Sequence, residues 1–297
     1  MKIDLQIHTN HSDGRETPEQ IIKDAKEGNL DVISITDHDI ISAISISTTE
    51  AQKVGIRVVP GVEITTGYRG QPIHVLGYCI DPENQEFKEF LNGINEYRKA
   101  HFISLMAEIN KNLIVAGRPQ VDIDHYKDRE AKYYSIPGAA LFLYEEKAVE
   151  GRNDGFAYII GLPDAAPTLE PKDAFTAIHK AGGKAFLSHP FAPLISLKNI
   201  SEDKDEQESI VALFKEQGMD GLECYGTGHS AEDVTFALSL VEKYNLLISA
   251  GSDWHGCIEK TGPGLKRYLP FYLEKLGDLS VPEDHIKRIL SGLDIEI

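Results

Sequence analysis

Histidine and carboxylate residues recur where short apolar runs give out. Run 3–8 leads into Gln6-Ile7-His8-Thr9-Asn10-His11-Ser12-Asp13-Gly14, and run 32–36 leads into Asp37-His38-Asp39. Glu63 follows run 56–60, His74 opens run 73–80, and His189 follows run 185–188. Glu223 lies in run 221–224 with His229 just beyond it, and Asp253 and His255 follow run 246–250. Any one of these has an ordinary explanation. A lone strand-end histidine is usually a hydrogen-bonded loop residue, and an Asp-rich turn usually caps a helix. Their accumulation is different, because burying so many ionisable groups together is costly unless cations compensate. Imidazole nitrogens and carboxylate oxygens are the donors that divalent metal ions take.

The elements that must position these residues alternate. The runs are short, aliphatic or β-branched, and end in polar or Gly/Pro residues, as strands do. Helical segments separate most of them. Thr17-Pro18 reads as an N-cap followed by proline at the first helical position, with Gly28 as the end. Segments 171–181, closed by Gly182-Gly183, and 231–244 read as further helices. This alternation implies a mostly parallel sheet. Seven runs suggest an α/β fold, an irregular seven-stranded (β/α) barrel, with an open doubly wound sheet as the alternative. The connection between runs 56–60 and 73–80 reads as a loop. In such a barrel, ligands and catalysts collect at the carboxyl ends of the strands.

Residues 84–170 break the pattern. Helical spacing of apolar residues runs from Phe87 to Leu113, and a second helix is expected over 136–149. The expected organisation is a metal-binding barrel of residues 1–83 and 171–297, with 84–170 inserted as a helical cap over the barrel mouth.

The net charge of −17 argues against long nucleic acid as a partner and leaves room for a small anion held through cations. The scattered Cys79, Cys224 and Cys257 suit neither a disulfide framework nor a Cys-rich zinc site, and read as reduced thiols. No apolar stretch has the length of a membrane span, and Met1-Lys2-Ile3-Asp4-Leu5 does not open a signal peptide. A cytoplasmic protein is expected.

The motifs resemble those of the polymerase and histidinol phosphatase (PHP) superfamily, especially its stand-alone nucleotide phosphatases with a helical insertion. The resemblance implies two or three divalent metal ions, manganese, iron or zinc. It implies that His8 and Asp253 serve one metal and that Glu63 bridges two. His74 and His189 would join Glu63 on the second metal, while Asp13, His38 and His255 would hold the third. Two departures stand out. The family has His-x-His on the first strand where this chain has Gln6-Ile7-His8, so Gln6 is at most a weak oxygen ligand. The related phosphatases also grip phosphate with arginines, yet Ile136-Pro137-Gly138-Ala139-Ala140-Leu141 and His189-Pro190-Phe191-Ala192-Pro193 contain none. Arg69, Arg129 and Lys132 are the substitutes at hand. The expected activity is hydrolysis of a small phosphate ester, possible substrates including nucleotides, by a metal-bridged hydroxide at Glu63, with His229 as general acid. The alternatives are amidohydrolase-like cleavage of a C–N or ester bond, and a non-catalytic metal-binding domain.

Overall fold

The computed structural model describes residues 1–159, 162, 169–256 and 273–296. Cys257 and the latter part of the expected insertion's end, 163–168, lie outside them.

Seven strands form one nearly closed sheet in the order β1-β2-β3-β4-β5-β6-β7. They are β1 (Ile3–Ile7), β2 (Val32–Ile35), β3 (Arg57–Tyr68), β4 (Gln71–Tyr78), β5 (Lys184–Leu187), β6 (Gly221–Tyr225) and β7 (Leu247–Ala250). The short strands β1, β2 and β5 to β7 are buried nearly throughout, polar residues such as Asp4, Gln6 and Glu223 included. The last gap is bridged at Trp254, whose carbonyl accepts from the His8 N–H at 2.8 Å and whose N–H donates to the Gln6 carbonyl at 3.2 Å.

One connection differs from the expected loop. β3 runs on to Tyr68 and turns back through Arg69-Gly70 into β4, which is antiparallel to both β3 and β5. Arg69 and Gly70 have φ of 51° and 76°. Positive φ at both central residues is what a tight two-residue hairpin requires.

Helices α1 (Pro18–Glu27) and α2 (Ala43–Val54) follow β1 and β2. Thr17 caps α1 by accepting from the Gln20 N–H. Ile21, Ile22 and Ala25 of α1 and Ala43 and Ala51 of α2 pack with Ile7, Ile33, Ile35 and Trp254 in one apolar cluster. The later helices are α3 (Gln85–Val115), α4 (Ile123–Lys127), α5 (Ile136–Glu145), α6 (Pro171–Lys180), α7 (Leu197–Ile200), α8 (Lys204–Glu216), α9 (Ala231–Tyr244) and α10 (Glu283–Gly292). Ser230 and Asp233 close a capping box at the start of α9.

The chain divides into two compact units. The first carries Met1–Lys88 and all seven strands, and the second begins at Glu89 within α3. The second unit has its own apolar core, in which Phe102, Met106 and Ile109 of α3 pack with Tyr126, Tyr134, Phe142 and Leu143. None of the described helices is long and apolar enough to cross a membrane.

Candidate metal centre

Strand geometry sets the first two side chains. Gln6 lies near the end of β1 and His8 just beyond it, and both are fully buried. His8 Nε2 lies 3.0 Å from Glu63 Oε2 and 3.1 Å from Asp253 Oδ1, while its Nδ1 is 3.5 Å from Asp13 Oδ1. His74 Nδ1 and His189 Nε2 each approach Glu63 Oε1 to 3.1 Å. The hairpin delivers Glu63 and His74 together, because Thr65 pairs with His74 across it. His38 Nδ1 lies 3.7 Å from Glu63 Oε2 and its Nε2 3.8 Å from Asp13 Oδ2. His255 Nε2 is 3.3 Å from Asp13 Oδ1, and its ring stacks on His8 at 4.2 Å.

Three overlapping groups of donor atoms result, each group lying within 4.8 Å: His8, Asp13, His38 and His255; His38, Glu63 and His74; and His8, Glu63 and Asp253. His189 joins through Glu63. Every residue expected to ligate metal is therefore brought to one region around the buried Glu63 carboxylate. His11 is not among them, since its Nδ1 pairs with Ser42 Oγ at 2.7 Å at the surface.

Further side chains hold this arrangement. Asp37 accepts from the Thr9 N–H at 2.7 Å, from Thr9 Oγ1 at 2.8 Å and from Ser12 Oγ, folding the loop that presents Asp13. Gly14 is required there, because a Cβ would sit 2.4 Å from the His8 carbonyl oxygen. Trp254 Nε1 donates to Glu16 Oε2 at 3.0 Å and fixes the loop between Asp253 and His255. The His189 N–H donates to Glu223 Oε2 at 2.8 Å, so Glu223 supports His189 from behind. His189 and Asp253 have φ of 28° and 55°, a conformation held only where the surroundings impose it.

The donor set fits cations by a second observation. His38 Nδ1, His189 Nδ1 and Gln6 Oε1 are buried without a hydrogen-bond partner. Orphaned polar atoms are costly, and cations would satisfy them. Protons otherwise do part of that work. Burial opposes charge on His8, His255 and His189, but the neighbouring carboxylates overcome it and raise their pKa to about 10, about 10 and about 9. Burial likewise opposes charge on Asp13 and Glu63, yet the surrounding histidines hold both well below the ordinary carboxylate range. Burial pushes His38 down to about 3. Metal and protons thus compete for the same imidazoles. Raised pKa values mean protonated rings at pH below them, so metal affinity should rise with pH up to about 9 to 10. Titration calorimetry in buffers of differing ionisation enthalpy should register protons released on binding near neutral pH, and none should appear if the rings are already neutral.

His229 does not fit the expected role. Its Nδ1 lies 3.1 Å from the Cys224 carbonyl oxygen, and its Nε2 accepts from the Phe191 N–H at 3.3 Å. Burial lowers its pKa to about 4. A neutral ring that donates from Nδ1 and accepts at Nε2 has both nitrogens engaged with backbone groups, contacts that suit a brace between the β5 and β6 loops. His229→Ala should cost about 2 kcal/mol of stability through the unpaired backbone groups. Its kcat should stay within a few-fold of wild type, whereas loss of a general acid removes roughly 10²–10⁴-fold. Chemical denaturation beside steady-state kinetics separates the two.

The comparisons with known proteins bear on the same residues. A family model for the PHP domain matches residues 4–139. The 5'-3' exoribonuclease Rnm of Escherichia coli is 30% identical over 298 residues, covering 97% of each chain. The 3',5'-nucleoside bisphosphate phosphatase of Chromobacterium violaceum is 25% identical over 85% of this chain and 87% of its own. A solved structure from Bifidobacterium adolescentis, described as a metal-dependent phosphoesterase, superimposes with a TM-score of 0.74 at 24% identity, covering 98% of this chain and 96% of its own. The strand-end histidines and carboxylates thus sit in a chain that matches such proteins nearly end to end, and it belongs to the PHP domain family of metal-dependent phosphoesterases.

Proposed function

We propose that this protein hydrolyses phosphate esters at the 5′ end of ribonucleotide substrates. The observation that carries the reading is the convergence of His8, Asp13, His38, His74, His189, Asp253 and His255 on Glu63. The full-length likeness to a 5'-3' exoribonuclease supports the substrate class. Divalent cations bound at these donors would lower the pKa of water and neutralise phosphoryl oxygens. Glu63 would be shared between two of them, as both its oxygens face histidines. Asp253 and His255, held by the Trp254 loop, would complete the wall opposite His74 and His189.

Phosphate recognition also calls for a fixed cationic side chain. Arg69 pairs with Glu206 at 2.6 Å, Arg129 with Glu146 at 3.2 Å and Lys132 with Glu130 at 3.2 Å. Arg15 lies next to the donor loops. It follows Asp13-Gly14, and its stem packs at Gly256, where a Cβ would lie 3.1 Å from Arg15 Cβ. Its backbone and stem therefore run between the loops that present Asp13 and His255. We assign phosphate contact to Arg15, and Arg15→Ala should raise KM by about tenfold with kcat within a few-fold, the signature of a lost charge-assisted hydrogen bond.

A second reading is a phosphatase confined to single nucleotides, which the net charge of −17 favours over any polymer. The test is incubation of the manganese- or zinc-loaded protein with a 5′-phosphorylated oligoribonucleotide and, separately, a nucleoside 3',5'-bisphosphate. Stepwise release of mononucleotides from the 5′ end supports the proposal. Inorganic phosphate from the bisphosphate alone selects the second reading. Turnover of amide or carboxylic ester substrates in place of both would remove it.

A further inference from the structure

We infer that Gln6 is an oxygen donor locked in place by Ser188, and that it makes the His8–Glu63–Asp253 position of the centre prefer a harder cation than its neighbours do. The inference rests on the metal-centre reading given above and goes beyond it to the choice of metal at one position.

The direction of the carboxamide follows from hydrogen-bond logic. Ser188 Oγ donates its one proton to Glu63 Oε1 at 2.7 Å. It can therefore only accept from Gln6, and Gln6 Nε2 stands 3.0 Å away. The reverse orientation would set two acceptor oxygens against each other. With the nitrogen spent on Ser188, the amide oxygen is left. Gln6 is fully buried, and its Oε1 has no protein partner. A buried orphan acceptor, two residues from His8 in the chain and tied to the Glu63 carboxylate through the shared Ser188 hydroxyl, is what a cation satisfies.

The donor count then separates the positions. His8, Glu63, Asp253 and Gln6 offer one nitrogen and three oxygens. His8, His38 and His255 with Asp13 offer three nitrogens to one oxygen, and His38 and His74 with Glu63 offer two to one, with His189 adding a further nitrogen at Glu63. Oxygen-rich positions suit manganese and magnesium, whereas imidazole-rich positions suit zinc and iron. A histidine at position 6 would change the first position from one nitrogen and three oxygens to two of each, toward the nitrogen-rich character of the others. The identity of residue 6 is thus the lever on metal selectivity, and Ser188 is the positioning residue that aims it.

The experiment reads metal rather than turnover. Metal-free protein is loaded with manganese, followed by its paramagnetic resonance signal and by elemental analysis, and then titrated with zinc. In the wild type one class of manganese should resist displacement. In Gln6→His the zinc needed to displace half of that class should fall by about tenfold or more. Gln6→Glu, which keeps an oxygen donor, should retain it, and Gln6→Leu should lose it while still binding zinc. Equal manganese retention in Gln6→Leu and wild type would overturn the inference and leave the phosphoesterase reading standing. Binding of no metal by any form would overturn both. Should Gln6→Leu fail to fold, as judged by circular dichroism, the contrast between Gln6→His and Gln6→Glu decides, and identical displacement in those two also overturns the inference.

Discussion

Glu63→Gln is expected to lower phosphoester hydrolysis by at least about a thousandfold with the barrel still folded. The carboxylate is fully buried, and both oxygens face imidazoles. Oε1 faces His74, His189 and Ser188, and Oε2 faces His8 and His38. Glutamine preserves the shape but removes one negative charge from the point where the donor groups overlap, and turns an NH2 toward imidazoles that need an acceptor. Cations would lose their shared ligand, and with it the spacing that holds a phosphoryl group between them. The check is kcat with saturating manganese or zinc, alongside metal content and circular dichroism. A Glu63→Gln variant with a tenth of wild-type activity would take the residue out of the reaction's centre.

Chelation should have an effect nearly as large, and on stability as well as rate. Removing bound metal is expected to reduce hydrolysis to background and to lower the melting temperature by about 10 °C. Ligand at a thousand times its dissociation constant stabilises the fold by about 4 kcal/mol, and for a barrel of this size each kcal/mol moves the midpoint by about 2–4 °C. The structural cause is the crowding of Asp13, Glu63 and Asp253 around His8, where protons on His8, His189 and His255 replace cations only in part. Scanning fluorimetry with and without chelator measures it, and adding manganese or zinc back should restore both quantities. An unchanged melting temperature would mean that these donors hold no metal.

The ligand-type residues were legible in the sequence because each follows or opens a short apolar run, and strand ends of a parallel barrel converge. The capped helix at Ala231–Tyr244 was legible through Ser230 and its downstream acid. The β3–β4 hairpin was not. Gly61, Thr65, Thr66 and Gly67 dilute the apolar pattern that marks a strand, and Arg69-Gly70 shows its turn chemistry only once both φ are known. Helix α2 is also quiet in sequence, since its Ser/Thr-rich segment weakens helical periodicity and Ser42 makes no side-chain cap. Roles that depend on what a side chain touches were beyond reach. Asp37 and Ser188 act through loops and hydroxyls far away in sequence, and His229 is a brace because its two partners are backbone groups.

The closure of the barrel at Trp254 gives metal a role in the lifetime of the protein. The seam between β1 and the segment after β7 has two backbone bonds, and donor residues flank it, His8 on one side and Asp253 and His255 on the other. A cation held by His8 and Asp253 would be a cross-link across the seam, and its residence time would govern how often the seam opens. An opened barrel is a sheet with two bare edges, and bare edges pair with other chains. Metal starvation would then be felt first as aggregation and proteolytic turnover, with the protein disappearing rather than persisting as an idle fold.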